Sequence, residues 1–392
     1  MQAHPLNRSA AALPAPSDDA RQHSDRLAEV IRAEVEKRGG WIPFSRYMEM
    51  ALYAPGLGYY VAGATKLGAK GDFVTAPEIS PLFGSTLAGQ VAAILAHTGG
   101  GVLELGAGSG ALAASVLEEL QARKRLPERY QILEISPQLV QRQRRLLMQR
   151  LPGLVDRVEW VTSLPPRLTG VVVANEVLDA LPVHLLTWCE DGVRERGVTL
   201  IGAEFSWEER SLGGGTLRDS AATLQVEAPY RSELSIAVPA LVRTLAAALD
   251  RGVLLCVDYG FGRSEYYHPQ RCEGTLMCHY RHRAHDDPFL FPGLQDITAH
   301  VDFTSVAESG VEAGLQLLGY TTQAQFLING GIADLLARTP AERASEYLPL
   351  AAGVQKLVSP SEMGELFKVI ALGRGVQPPL GGFRTGDKSR LL

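Results

Sequence analysis

A chain of 392 residues with 46% hydrophobic content is long enough for one large decorated domain or two of ordinary size, and its composition excludes a disordered protein. Its 38 basic and 43 acidic residues leave a net charge of −5, which excludes the basic footprint of a general nucleic-acid binder. Four scattered cysteines, Cys189, Cys256, Cys272 and Cys278, exclude a disulfide framework and fit a reducing compartment, and no apolar run reaches the roughly 18 to 20 residues of a spanning helix.

Residues 1–23 read as a flexible tail: Pro5, Pro14 and Pro16 break any periodicity, and the first 20 residues hold one arginine or lysine, Arg8, without the apolar run of a secretion signal. Residues 24–98 read as an N-terminal extension of helices and loop. Leu27, Val30, Ile31 and Val35 behind Ser24 predict a first helix ending at Gly39-Gly40, and a second follows around Arg46 to Leu52. The turn residues Pro55-Gly56, Gly58-Tyr59-Tyr60 and Gly68 to Asp72 predict a long shaped loop, and a helix spans Pro81 to His97. From residue 99 strands and helices alternate: strand Val102 to Leu105, helix Ala111 to Arg123, strand Tyr130 to Ile135, helix Pro137 to Arg150, then strands Val158 to Val161 and Gly170 to Ala174. Residues 185–233, broken by Gly192, Gly197, Gly202 and Gly213-Gly214-Gly215, read as an inserted β-rich region that adds surface rather than core. The alternation resumes with helix Pro239 to Leu249, strand Gly252 to Val257, a helix from about Ser305 to Leu317, and strands Thr322 to Leu327 and Leu366 to Leu372. Residues 99–184 and 234–375 thus form an α/β core with a doubly wound parallel sheet, and 376–392 read as a second tail.

Gly106, Gly108 and Gly110 lie where a buried strand turns into a helix, where backbone without side chains can approach a nucleotide-like ligand. Gly106-x-Gly108-x-x-Ala111 also satisfies a relaxed dinucleotide fingerprint, so a nicotinamide cofactor and S-adenosylmethionine both fit this turn. Two features favour the methyl donor. Glu104, with Ala107 in the turn it precedes, places a carboxylate two positions before the first glycine, suited to a cationic amino-acid end. Glu134, suited to ribose hydroxyls, follows Gly106 by 28 residues, longer than the roughly 20 of the dinucleotide pattern.

The strand ending at Ala174 runs into Asn175-Glu176-Val177-Leu178-Asp179, at the carboxyl edge of the sheet where such folds bind ligands. Asn175 can hold cofactor or substrate through its amide, and Glu176 with Asp179 can present two carboxylates to a guanidinium and act as the catalytic pair. Helix capping by Asn175 and Asp179 accounts for the same residues.

Several blocks resemble the MidA-like methyltransferases, a family that includes the mitochondrial complex I assembly factor that methylates an arginine. These are Leu52-Tyr53-Ala54-Pro55 through Gly58-Tyr59-Tyr60, Gly71-Asp72-Phe73-Val74-Thr75-Ala76-Pro77-Glu78-Ile79-Ser80, the Glu104 to Gly110 turn, and Leu133-Glu134-Ile135-Ser136-Pro137. Asn175-Glu176 through Asp179-Ala180-Leu181-Pro182, Asp258-Tyr259-Gly260, Gly274-Thr275-Leu276 and Pro292 through Phe303 extend the resemblance over roughly residues 25 to 372. It implies a class I methyltransferase fold, S-adenosylmethionine as cofactor, and Asp72, Thr75 and Ser80 near the methionine end of that cofactor. It also implies a protein substrate such as a respiratory complex I subunit, while the absence of a transit peptide points to a bacterial cytoplasmic relative.

Cys272, Cys278, His279, His282 and His285 crowd one segment, but neither C-x-x-C nor H-x-x-x-H spacing appears, and no metal site is expected. Three functions stay open on the sequence: protein arginine methylation, methylation of a small molecule on the same fold, and a non-catalytic assembly protein that keeps the cofactor as a structural ligand. Neither a membrane nor a nucleic-acid partner is expected, and the oligomeric state is not encoded in any recognisable pattern.

Overall fold

Val171-Val172-Val173-Ala174 and Val253-Leu254-Leu255-Cys256 are continuous apolar runs, the pattern of strands covered on both faces, and they pair in parallel at the middle of a sheet. The computed structural model describes residues 13–62 and 74–392. They divide into two compact units: described residues up to 62 with Pro182–Leu234 and Cys272–Ala299, and Val74–Leu181 with Ser235–Arg271 and His300–Leu392.

The second unit holds a seven-stranded path whose strands we number within it: β1 Gly101–Leu105, β2 Tyr130–Leu133, β3 Val158–Val161, β4 Leu168–Asn175, β5 Leu249–Phe261, β6 Gln316–Thr322 and β7 Phe367–Arg374. Their order is β6-β7-β5-β4-β1-β2-β3, and β7 runs antiparallel to both neighbours while β1 to β5 are parallel. The short strand Val301–Asp302 pairs with the end of β5. Alternate residues of β4 serve opposite faces. Val171 and Val173 pack with Leu87, Val91, Leu112 and Val116 from helices Pro81–Thr98 and Ala111–Ala122. Val172 and Ala174 pack with Val242, Leu245, Phe303 and Val306 from helices Ala237–Ala248 and Phe303–Glu312. Strand order reverses between β1 and β4, so the ligand crevice of this doubly wound sheet lies beyond their carboxyl ends.

The first unit builds its own core. Leu27, Ile31 and Val35 from helix Asp18–Lys37 and Phe44, Tyr47 and Met48 from helix Phe44–Tyr53 meet Val183, Leu185, Val198 and Ile297. Its antiparallel sheet joins Trp41–Pro43, His184–Cys189, Gly192–Ile201, Glu204–Ser211 and Tyr230–Leu234. The inserted region therefore contributes core, contrary to the expectation that it adds only surface, because its strands turn one face onto the N-terminal helices.

Other boundaries move for local reasons. The first helix starts at Asp18 rather than near Ser24, since the Ser17 hydroxyl accepts from the Ala20 amide and Asp18 and Asp19 favour the positive end of the helix. The expected strand over 322–327 is instead strand β6 followed by helix Gln323–Asn329, which Thr322 caps at the Gln325 amide. The last residues are packed rather than loose: Leu380 and Phe383 are buried, and the Asn329 amide donates to the carbonyls of Gly382 and Thr385. No described helix is long and apolar enough to cross a membrane.

Candidate active site

The glycine turn joins β1 to helix Ala111–Ala122, and Gly106, Gly108 and Gly110 have φ of +58°, +53° and +87°, values that side chains with a Cβ rarely tolerate. A Cβ at Gly106 would meet only Val177 at 3.6 Å, so the turn presents open backbone there. Ala107 is buried beneath it. Glu104, buried on β1, accepts from the Tyr130 hydroxyl at 2.6 Å; burial pushes it up to about 7 and the nearby Glu134 charge adds to this, against the Tyr130 bond.

Glu134 follows β2. Its Oε1 accepts from the Ser136 amide at 2.9 Å and its Oε2 from Gln143 Nε2 at 3.0 Å. The same Gln143 nitrogen donates to the Gly108 carbonyl at 3.0 Å, and Gln143 Oε1 accepts from Trp160 Nε1 at 2.8 Å. Gln143 thus ties the glycine turn to the acid of the next strand, a role that sequence reasoning missed. The only signal was a polar residue on the inward face of helix Pro137–Arg150, where it is fully buried.

At the end of β4, Asn175 Nδ2 donates to Glu176 Oε1 at 3.2 Å, and the Ala76 amide reaches the same oxygen at 3.3 Å. Glu176 has φ of +52°, an uncommon conformation for a residue with a Cβ and one that clusters at functional sites. The following turn is held by Asp258 on β5, whose Oδ2 accepts from the amides of Val177, Leu178 and Asp179 and whose Oδ1 accepts from the Tyr259 amide. The Tyr259 hydroxyl donates to Asp179. The role of Asp258 and Tyr259 was not legible in the sequence, since Asp258 lies some 80 residues from the Leu178 amide it holds.

These acids repel one another in a dry setting. Burial pushes Glu176 up to about 8, and Asp179 reinforces it. Burial likewise raises Asp179, and it raises Asp258 well above the usual carboxylate range together with the charges of Asp179 and Glu176. The group cannot all be ionised without a cation. Among the described residues no lysine, arginine or histidine pairs with any of them, and Asn175 Oδ1 and Asp179 Oδ1 are buried without a partner.

The remaining expected cofactor residues are placed differently. Thr75 precedes the short helix Ala76–Ile79 without a side-chain capping bond, so its hydroxyl is not committed to the helix end. Ser80 is buried and accepts from the Leu82 amide, capping the next helix. Asp72 lies outside the described residues. Among the described residues no three or more His, Cys, Asp or Glu side chains are grouped to hold a metal ion.

Residues 86–321 match the model of a family described as "Putative S-adenosyl-L-methionine-dependent methyltransferase". The chain belongs to this family. Similar proteins include the mitochondrial protein arginine methyltransferase NDUFAF7 of Danio rerio, 32% identical over 85% of this chain and 83% of its own length, and that of Homo sapiens, 28% identical over 86% and 81%. A solved structure from Burkholderia thailandensis, bound to S-adenosyl-homocysteine, is 51% identical with a TM-score of 0.95 and covers 97% of this chain and 100% of that one. The fold is that of a class I methyltransferase, and S-adenosyl-L-methionine is the methyl donor. The residues present fit that group: an open glycine turn for its backbone approach, an acid after the second strand, and buried, unpartnered Asn175 Oδ1 at the crevice.

Proposed function

We propose that this methyltransferase modifies an arginine side chain of a protein, with Glu176 and Asp179 as the catalytic pair and a respiratory complex I subunit as the candidate acceptor. The observation that carries the reading is the acid group at the β4 corner, Asp179 and Asp258 buried and Glu176 half-buried, which has no cation of its own among the described residues. A guanidinium supplies what the group lacks, a planar cation able to donate to two carboxylates along its edges. The arginine methyltransferase names of the relatives support the same choice.

The cofactor-side residues in this reading are Glu104, Gly106, Ala107, Gly108, Gly110, Glu134, Asn175, Thr75 and Ser80, with Asp72 beside them. Bound there, S-adenosyl-L-methionine supplies an electrophilic methyl group on a positively charged sulfur. The protein's own task is on the acceptor. Ionised Glu176 localises the guanidinium charge, orients one nitrogen and, as the nitrogen–carbon bond forms and the carbon–sulfur pair stays with sulfur, takes the proton that this nitrogen loses. Asp179, held through Tyr259, fixes a second edge.

The experiment is methyl transfer from labelled cofactor into an extract of cells lacking the protein, with the modified residue located by mass spectrometry. Label on arginine that disappears with Glu176→Gln, while S-adenosyl-homocysteine affinity is kept, supports the reading. Label on a small molecule, or on another side chain, overturns it.

A further inference from the structure

The acid at Glu78 has no place in the chemistry above, yet it belongs to the same corner. It sits on the helical turn Ala76–Ile79, two residues beyond the amide that donates to Glu176 Oε1. Its charge acts on Glu176, where it opposes ionisation. Its Oε2 is shielded from solvent and has no hydrogen-bond partner among the described residues, and no basic side chain among them pairs with it. A shielded acceptor oxygen without a partner is open to a donor from a ligand. The neighbouring Asp179 repeats the pattern at 6% exposure, with Oδ1 unpartnered. Two orphaned oxygens, from segments about 100 residues apart in sequence, therefore accompany Glu176.

We propose that Glu78 is a specificity-determining residue that touches the acceptor, meeting the guanidinium from the Ala76–Ile79 side while Glu176 and Asp179 meet it from the β4 corner. This rests on the arginine reading. An ammonium gathers three donors around one point, whereas a guanidinium spreads five donors over a wider plane and pairs with carboxylates through two parallel bonds. Three acids placed around one cation thus select a guanidinium over an ammonium, and removal of one charge weakens that selection without touching the glycine turn.

The test uses the full-length protein loaded with S-adenosyl-homocysteine and two small probes, N-acetyl-arginine amide and N-acetyl-lysine amide, with binding followed by calorimetry or by resonance shifts. The wild type is expected to prefer the arginine probe. Glu78→Gln should weaken that probe at least fivefold and reduce the preference, with S-adenosyl-homocysteine affinity unchanged within twofold, and Glu78→Asp should recover part of the loss. If the wild type shows the preference and Glu78→Gln retains it in full, Glu78 has no such role and the arginine reading stands. Equal losses of cofactor product and probe also overturn it, because the residue then acts on the fold or the donor. Should the wild type show no preference for the arginine probe, the arginine reading itself fails and this assignment falls with it.

Discussion

Glu176 holds a proton in the free protein at neutral pH, since burial pushes it up to about 8, and only its ionised form can pair with a cation. In the proposed reaction kcat/KM should therefore climb with pH below about 8 and level off above, a limb that Glu176→Gln removes together with most of the turnover. A pH–rate profile of both proteins checks this. On the cofactor side, Gly108→Val places a branched side chain at φ +53° and should abolish S-adenosyl-homocysteine binding measured by calorimetry. Gln143→Leu should weaken that binding roughly tenfold with kcat little changed, because it frees both Glu134 and the Gly108 carbonyl from their shared donor. The glycine turn and the Asn175-Glu176-x-x-Asp179 corner were legible in the sequence because glycines and polar residues stand where an apolar strand ends. Gln143, Glu78 and Asp258 were not, because a polar residue becomes informative only once its distant partner is known.

Between elements, the starts of β1, β4 and β5 lie side by side, with Gly101 opposite Gly170 and Gly170 opposite Gly252. At Gly170, with φ of +119°, a Cβ would fall 2.1 Å from the Gly101 carbonyl oxygen. Gly170→Ala should cost about 3 kcal/mol or more, read from denaturant midpoints, even though it lies at the opposite end of the strand from the acids. Strands and helices of the sheet were readable because apolar runs and 3.6-residue spacing agree with burial on two faces. The segment after residue 312 was not: Gly314, at φ +82°, ends the helix early, so the next strand arrives sooner and Thr322 begins a helix instead of a strand. The packing of residues 376–392 was hidden for another reason, since Leu380 and Phe383 carry no periodicity and Phe383 meets Phe326 on helix Gln323–Asn329.

For the whole molecule, Glu104 at about 7 and Glu176 at about 8 bind protons more tightly folded than unfolded. The contribution of each is fully present below the unfolded carboxylate range, near pH 4 to 5, and is lost as pH rises toward its folded value. The ligand-free protein should thus lose stability between about pH 5 and 8, and Glu104→Gln combined with Glu176→Gln should flatten that slope in urea melts. Division into two units carries a consequence for synthesis. Helix Asp18–Lys37 leaves the ribosome before the other described elements, yet its apolar stripe is covered partly by Val183, Leu185, Val198 and Ile297. At bacterial and eukaryotic elongation rates that stripe waits roughly 10 to 50 seconds for its last neighbours, while the opening strands of the other unit are already emerging. This helix is completed by residues made long after it, so it is during translation, more than in the finished chain, that Leu27, Ile31 and Val35 are exposed to chaperones and to one another.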